Sequence, residues 1–216
     1  MKIIFKKKSL SYVYILCLGI LSSLSLPPYN FFLINFFSFS ALFVYFVKQK
    51  FKLSKIEYFL NGWIFGFGYF VSSLYWITIS LTFDQTFEIL IPIAFLLIPI
   101  FLAIFYGLAT YIFYFFKKFS NISLILVFSL TFATSEFLRG NILSGFPWNL
   151  ISFSFSEVLP MLQILSLIGT YSFNLFCLTL FILPSIFYLK KNKCNMYFVF
   201  SFGFILISSV VFGQTK

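Results

Sequence analysis

The chain has 216 residues, of which 61% are hydrophobic and 9% charged, and its mean hydropathy is +1.03. A water-soluble domain of this length could not bury so much apolar side chain, because ordinary globular composition is about 45 to 50% apolar and about 25% charged. The sequence therefore predicts an all-α, polytopic helical membrane protein, with too few residues outside its apolar runs for a sizeable soluble domain.

Few residues in the chain carry catalytic or metal-binding chemistry. There is no histidine, there are five carboxylates, and Cys17, Cys177 and Cys194 are too scattered for a zinc site. We therefore expect no metal and no cofactor. The net charge of +10 comes almost entirely from lysines in short clusters between apolar runs. That pattern is typical of membrane topology, so we expect no nucleic-acid partner.

Apolar runs separated by lysine clusters or by turn residues predict about seven transmembrane helices. They lie near residues 10–26, 31–47, 56–81, 89–116, 122–139, 159–189 and 196–212. The first run follows a lysine-rich tail, as the apolar part of a secretory signal peptide would. Because six more runs follow it, we expect an uncleaved first helix.

Basic residues are distributed unevenly between alternate connections. The N-terminal tail and the connections after the second, fourth and sixth predicted helices hold every lysine except Lys216. The other side has only Arg139 and Lys216. Because cytoplasmic loops carry an excess of lysine and arginine, the N-terminus is predicted to be cytoplasmic. An odd number of helices then places the C-terminus in the periplasm.

The segment 135–157 departs from the pattern of featureless apolar helix. Glu136 and Arg139 are three residues apart, so they share one face at the outer end of the fifth predicted helix and could form an ion pair. Gly140 is predicted to end that helix. The turn-rich string that follows ends in Trp148, an aromatic residue suited to the lipid head-group region. This string includes Asn141, Ser144, Gly145, Phe146 and Pro147.

Arg139 is the only arginine in a chain that otherwise uses lysine. This choice indicates a position that requires a planar donor able to make two parallel hydrogen bonds. Two interpretations remain open at this point. In one, Arg139 contacts a lipid phosphate or holds Glu136 in place at the mouth of a lipid-entry path. In the other, it is an interface anchor with a structural ion pair.

Several strings in this chain resemble the membrane-domain signature of the apolipoprotein N-acyltransferase family. The most specific are EFLRG at residues 136–140 and GFPW at residues 145–148. LPPY at 26–29, GWIFGFGYF at 62–70 and LYWI at 74–77 also match and occur in the same order. The resemblance therefore covers most of the chain.

This resemblance implies a function in lipoprotein maturation. Members of the family transfer an acyl chain from a phospholipid to the α-amine of a diacylglyceryl-cysteine, through a thioester on an enzyme cysteine. It thus implies a multi-pass protein of the bacterial cytoplasmic (inner) membrane, with a phospholipid donor and a diacylated apolipoprotein acceptor as partners. The substrate-binding residues it implies are Glu136, Arg139, Gly145, Phe146, Pro147 and Trp148.

The chain departs from the family pattern at its end. It stops at Lys216, where the family has a nitrilase-like domain with a Glu-Lys-Cys triad, so we predict no catalytic residue. Residues 1–216 are expected to form a single membrane domain, as a fragment or a natural short form that is inactive alone. The alternative is a non-enzymatic lipid-binding scaffold or transporter-like subunit that works with a separate partner. A degenerate paralogue without function is a third alternative.

Overall fold

The computed structural model of the chain describes residues 8–143, 145–189 and 193–214, with side chains in the last range from residue 196. Within these ranges the chain is helical and contains no β-strand. The α-helices are α1 (Lys8–Ser23), α2 (Leu33–Gln49), α3 (Lys55–Ser73), α4 (Ile77–Ser80), α5 (Ile91–Phe113), α6 (Asn121–Asn141), α7 (Leu159–Leu162), α8 (Leu165–Ile168), α9 (Thr170–Ile182) and α10 (Lys193–Gln214). The 3₁₀ turns are Leu81–Phe83, Gln85–Leu90, Tyr114–Phe116, Ile151–Phe155 and Leu183–Tyr188.

Some residues used in the sequence analysis lie outside this description. They are Lys2, Lys6, Lys7, Ser144, Lys190, Lys191 and Lys216, together with the side chains of Lys193 and Cys194.

Four helical stretches in the described ranges are long and apolar enough to cross a membrane, and a bent pair makes a fifth candidate. They are Gln85–Phe116, Asn121–Asn141, Thr170–Tyr188 and Met196–Gln214, with Lys55–Ser73 and Ile77–Phe83 as the pair bent by 48°. Helices α1 and α2 are apolar but have only 16 and 17 residues. The all-helical prediction is confirmed for these ranges, whereas the number of seven spans and the membrane orientation stay predictions.

The predicted helix at 159–189 is interrupted in the structure. The chain forms the short helices α7 and α8, and a longer helical stretch starts only at Thr170. Gly169 separates the two parts with φ +76°, a conformation that glycine adopts without steric cost. The predicted helix at 56–81 is likewise broken after Ser73.

Helix α3 packs between α1 and α5 through glycines on two of its faces. A Cβ atom at Gly62 would collide with the Thr110 hydroxyl and would lie 2.5 Å from the Tyr106 carbonyl oxygen. A Cβ atom at Gly66 would lie 3.0 Å from Cβ of Tyr106. Two glycines four residues apart in an apolar helix, as at Gly62 and Gly66, predict close helix packing, and the structure shows this packing against α5.

We expect Gly62→Ala to lower the free energy of unfolding by about 1 to 3 kcal/mol, because the added methyl group has no space against α5. Thermal unfolding in detergent measures the change. Gly203→Ala is the matched control, since a Cβ atom there meets nothing within 4 Å. An equal loss of stability in both variants would contradict the packing role of Gly62.

The core lies between α2, α3, α5 and α6 and consists mainly of phenylalanine. Neighbouring rings pack edge to face or tilted, as for Phe43 and Phe128, whose centroids are 5.4 Å apart, and Phe128 and Phe113 at 5.1 Å. Such pairs contribute about 0.5 to 1.5 kcal/mol beyond the area they bury. The fully buried phenylalanines include Phe39, Phe43, Phe46, Phe65, Phe70, Phe128 and Phe132.

The lysine-bearing ends of α1, α2, α3 and α5 lie together, and we call this the lysine end. Nζ of Lys8 is 2.8 Å from Oε1 of Glu57 at the start of α3. Nζ of Lys117 lies 3.8 Å from the ring centroid of Tyr114, which packs against Tyr58 of α3. Arg139 lies near the other end of α3, beside Phe70, and we call this the arginine end. The lysines described here and Arg139 thus lie at opposite ends of the helices, in agreement with the uneven distribution of basic residues between alternate connections in the sequence.

Candidate functional site

At the arginine end the chain folds back over the end of α6. The helix ends at Asn141 rather than at the predicted Gly140, and residues 142–150 form the returning segment, which we call the 142–150 loop. The backbone N–H of Phe146 donates to the carbonyl of Arg139 at 2.8 Å, which fixes the return. Gly145 has φ +74°, and a Cβ atom there would lie 2.5 Å from the carbonyl oxygen of Gly140. Glycine is therefore required at position 145.

Arg139 holds the 142–150 loop through its guanidinium. Its Nη1 donates to the carbonyl oxygens of Phe146 at 2.8 Å and Trp148 at 2.7 Å, and its Nη2 donates to that of Asn149 at 3.4 Å. The side chain is fully buried. One planar cation thus donates to three carbonyl oxygens of the loop, which explains an arginine at this position.

Two aromatic rings complete the environment of the guanidinium. Cζ of Arg139 lies 5.1 Å from the ring centroid of Phe70 and 5.8 Å from that of Phe146. These distances are within the range of cation–π attraction, which is strongest where the cation is desolvated. Nε of Arg139 has no hydrogen-bond partner within the described part of the chain.

Glu136 accepts hydrogen bonds from two other helices. Its Oε1 accepts from the Tyr106 hydroxyl at 2.6 Å, and its Oε2 accepts from Nδ2 of Asn174. Nη2 of Arg139 lies 3.9 Å from Oε1. Asn174 in turn accepts at Oδ1 from the backbone N–H of Ser152 at 2.9 Å. The carboxylate therefore links α5, α6, α9 and the turn that follows the loop.

The far end of the 142–150 loop is tied to α3. The Tyr69 hydroxyl donates to the carbonyl of Asn149 at 3.1 Å, and Nδ2 of Asn149 donates to the carbonyl of Ser73 at 3.3 Å. Asn149 has φ +57°, a conformation that asparagine tolerates better than most residues. The loop thus rests on hydrogen bonds from two helices, α3 and α6.

Sequence reasoning missed three side chains of this network: Tyr69, Tyr106 and Asn174. All three lie within apolar runs, and nothing in the spacing of the chain relates them to Glu136. A signal was nonetheless present for Asn174, because an amide inside a predicted transmembrane helix requires a polar partner.

The outer end of the fifth predicted helix, where the sequence places Glu136 and Arg139, is covered in the structure. Both side chains have a relative accessibility of 0%. The physical reason is the 142–150 loop, which covers the end of α6 and supplies the carbonyl groups that the guanidinium binds. The structural interpretation of Arg139 is therefore the one that its contacts support. Substrate contact by the six predicted residues stays a prediction.

Two of the predicted residues are exposed at the arginine end. Pro147 is exposed, and the Trp148 side chain is 57% accessible. The Trp148 ring packs edge to face with Trp76, with their centroids 6.5 Å apart. Gly145 and Phe146 are partly buried beneath them. The hydrogen-bonded loop thus presents an indole outward while its backbone carbonyls point inward to Arg139.

A cavity of about 350 Å³ lies between α5 and the 142–150 loop, with Phe146 in its wall. Most of its lining is apolar, and the lining side chains of α5 are Leu97, Ile98, Phe101, Leu102 and Phe105. Arg139 also lines it. The walls of the cavity are therefore apolar on the α5 side and are joined on the other side by the loop residues Ile142, Leu143 and Gly145.

The family model of the apolipoprotein N-acyltransferase N-terminal domain matches residues 18–183. The chain belongs to the apolipoprotein N-acyltransferase family. The resemblance predicted from the sequence strings is thereby confirmed, and the matched region contains the whole hydrogen-bond network around Glu136 and Arg139.

Proteins named apolipoprotein N-acyltransferase from three bacteria illustrate the match. The chain is 34% identical over 177 residues to the one from Rhizobium etli, 33% over 181 residues to the one from Brucella melitensis, and 34% over 182 residues to the one from Agrobacterium fabrum. These alignments cover 78%, 78% and 81% of the chain but only 33%, 33% and 34% of the relatives. The chain thus spans about a third of the length of these curated relatives.

Proposed function

We propose that this chain is the membrane part of an apolipoprotein N-acyltransferase. The full reaction moves an acyl chain from a phospholipid to the N-terminal diacylglyceryl-cysteine of an apolipoprotein. In this proposal the chain lies in the bacterial inner membrane, binds the two lipidated substrates, and requires no cofactor. Catalysis takes place in a nitrilase-like domain outside these residues, so the chain alone does not transfer acyl groups.

The observation that carries this proposal is the 142–150 loop held over the end of α6. Glu136 and Arg139 are buried at this end of α6, where charged groups are costly unless they are paired and hydrogen-bonded. Their hydrogen bonds fix the backbone of Phe146 and Trp148 while leaving the indole exposed. A preorganised loop of this kind lowers the entropic cost of binding a lipid.

The residues of the site then divide into two roles. Pro147 and Trp148 are exposed and would contact the lipid at head-group depth, where an indole is at its most favourable. Phe146 would meet the acyl chain in the adjoining cavity. Glu136 and Arg139 are positioning residues, because their polar atoms face the loop and the neighbouring helices.

The proposal is tested with Trp148→Ala in a protein that joins this chain to the catalytic domain of the family. We expect acyl transfer from phosphatidylethanolamine to a diacylated lipopeptide to fall at least tenfold, since an aromatic anchor contributes more than about 1.4 kcal/mol when it is part of a binding centre. The thermal unfolding temperature should stay unchanged, because the Trp148 carbonyl that binds Arg139 is retained.

Phe200→Ala is the matched control, since Phe200 on α10 is also a highly exposed aromatic, at 68%. Equal activity in the Trp148 variant and the parent protein would show that Trp148 does not contribute to lipid binding. The chain without the catalytic domain is assayed in parallel. Transfer by the chain alone would contradict the proposal that catalysis takes place in the nitrilase-like domain. Normal transfer by a catalytic domain without this chain would favour the alternative that the chain is a non-enzymatic scaffold.

A further inference from the structure

Two cavities meet at the lysine end, opposite the 142–150 loop. The first is an apolar groove of about 420 Å³ that follows α2 from Leu33 to Gln49, with Tyr188 on its other wall. The second is a polar pocket of about 160 Å³ enclosed by residues of α1, α2 and α3 and by the loop before α3. Tyr45 and Gln49 line both. The two spaces therefore adjoin at the C-terminal end of α2.

A buried amide lines the polar pocket. Asn61 is 1% exposed, and its side chain interacts there with the hydroxyl of Tyr45, which lines the same pocket. No other described residue hydrogen-bonds to its Nδ2 or Oδ1. Because an amide can make several hydrogen bonds, Asn61 keeps donor and acceptor capacity for a ligand that enters the pocket.

The charge around the two cavities is predominantly positive. Lys8 and Lys52 line the polar pocket, and Lys48 lines the adjoining part of the groove. The one carboxylate among the lining residues is Glu57, which pairs with Lys8 at 2.8 Å and accepts from the backbone N–H of Ser54 at 2.8 Å. Lys48 and Lys52 have no carboxylate partner within the described ranges, so the entrance attracts an anion.

We propose that the lysine end binds one anionic phospholipid, with its head group in the polar pocket at Lys52 and Asn61 and one acyl chain along the α2 groove. An anion without a tail would leave the apolar groove unfilled. A neutral lipid would leave Lys48 and Lys52 uncompensated. Only a molecule with a negative head and an apolar chain matches both cavities and their connection.

The polar pocket lies at the opposite end of the helices from Trp148. The head group of a lipid bound there would therefore be at the opposite end of the protein from one held by the 142–150 loop. Such a lipid would hold α1, α2 and the turn Leu183–Tyr188 together, because the groove is formed between them. The inference does not depend on the acyltransfer reaction, and its test uses no activity assay.

The test measures lipid retention by native mass spectrometry of the detergent-purified chain, titrated with phosphatidylglycerol or phosphatidylcholine of the same acyl chains. We expect one phosphatidylglycerol to bind at least tenfold more tightly than phosphatidylcholine. The double variant Lys48→Gln/Lys52→Gln should bind phosphatidylglycerol about thirtyfold more weakly, because each lysine near a lipid surface contributes about 1 kcal/mol and about 1.4 kcal/mol corresponds to tenfold. Ala41→Trp, which fills the groove, should weaken both lipids and serves as an independent variant.

The matched control is Lys50→Gln/Lys55→Gln, which removes the same charge from the same end at residues that line neither cavity. It should leave phosphatidylglycerol binding within about twofold of the parent, since neither ammonium group lines the cavities that hold the lipid and solvent ions screen its charge. Equal losses in the two double variants would overturn the proposal. So would equal affinity for the two lipids, displacement of phosphatidylglycerol by glycerol 3-phosphate, or normal retention in the Ala41 variant.

Discussion

Arg139→Lys is expected to destabilise the protein by about 3 kcal/mol although the charge is kept, because hydrogen bonds to a charged group contribute about 1.5 to 3 kcal/mol each. The guanidinium reaches the carbonyls of Phe146, Trp148 and Asn149 through two separate nitrogens. A lysine ammonium is a single point and cannot span the same three oxygens. We expect the 142–150 loop to lose its fixed conformation and acyl transfer by the joined protein to fall at least tenfold.

Two measurements separate these effects. Thermal unfolding in detergent reports the stability, and limited proteolysis reports the exposure of the 142–150 loop. Leu143→Gly is the matched control within that loop, because Leu143 is 70% exposed and has φ +58°, which glycine adopts freely. It should be neutral or slightly stabilising. Parent-like stability and loop protection in Arg139→Lys would show that the hydrogen bonds to the three carbonyls do not hold the loop.

The sequence was informative where a local pattern determines structure. The apolar runs predicted α1, α2, α5 and α6 to within a few residues, because each run is bounded by lysines or turn residues. Gly62 and Gly66 predicted close packing of the third helix, since small residues four apart form one flat face, and the structure shows that the partner is α5. The string GFPW predicted a turn with an outward aromatic residue, and Trp148 is exposed.

The burial of Glu136 and Arg139 could not be predicted in the same way. Their spacing placed them on one face of a helix end, but whether that end is exposed depends on where the next ten residues go. The return of the chain is set by Gly145 at φ +74° and by the hydrogen bond from Phe146 to Arg139, which are tertiary features. The single arginine indicated that this position requires a planar hydrogen-bond donor. It did not indicate that the acceptors are carbonyl oxygens of the 142–150 loop.

The interruption of the predicted helix at 159–189 has a similar origin. Hydropathy does not distinguish one continuous helix from the observed series of α7, α8 and α9, because both arrangements are formed by the same apolar residues. Gly169 was the available signal, since glycine is frequent where helices end. The restart at Thr170 matters for the site, because it gives α9 the register that brings Asn174 to Glu136.

These features together describe a site built in layers. The innermost layer is the Glu136 carboxylate with its donors Tyr106 and Asn174, the next is the Arg139 guanidinium, and the outer layer is the exposed edge of the 142–150 loop. The carboxylate pairs with the guanidinium at 3.9 Å, and the guanidinium fixes the 142–150 loop through hydrogen bonds. A substitution in the innermost layer should therefore change the accessibility of Trp148, although the Glu136 side chain is fully buried.

Glu136→Gln tests that arrangement from its centre. We expect a loss of about 3 to 5 kcal/mol in the free energy of unfolding, because removal of one partner of a buried ion pair leaves the other charge uncompensated. The glutamine amide has only one acceptor oxygen for the two donors that now bind the carboxylate, Nδ2 of Asn174 and the Tyr106 hydroxyl, so one of these hydrogen bonds is lost or reversed. Thermal unfolding and Trp148 accessibility to a collisional quencher are the measurements.

Glu157→Gln is the matched control, because Glu157 is an exposed carboxylate whose hydrogen bond from Asn30 is 3.4 Å long. Exposed substitutions of this kind change stability by about 0.5 kcal/mol or less. Tyr106→Phe completes a double-mutant cycle with Glu136→Gln, and a coupling of about 0.5 to 3 kcal/mol is expected for groups in direct contact. Additive effects, or a loss no larger than that of Glu157→Gln, would mean that the carboxylate does not support the guanidinium and that the loop is held by Arg139 alone.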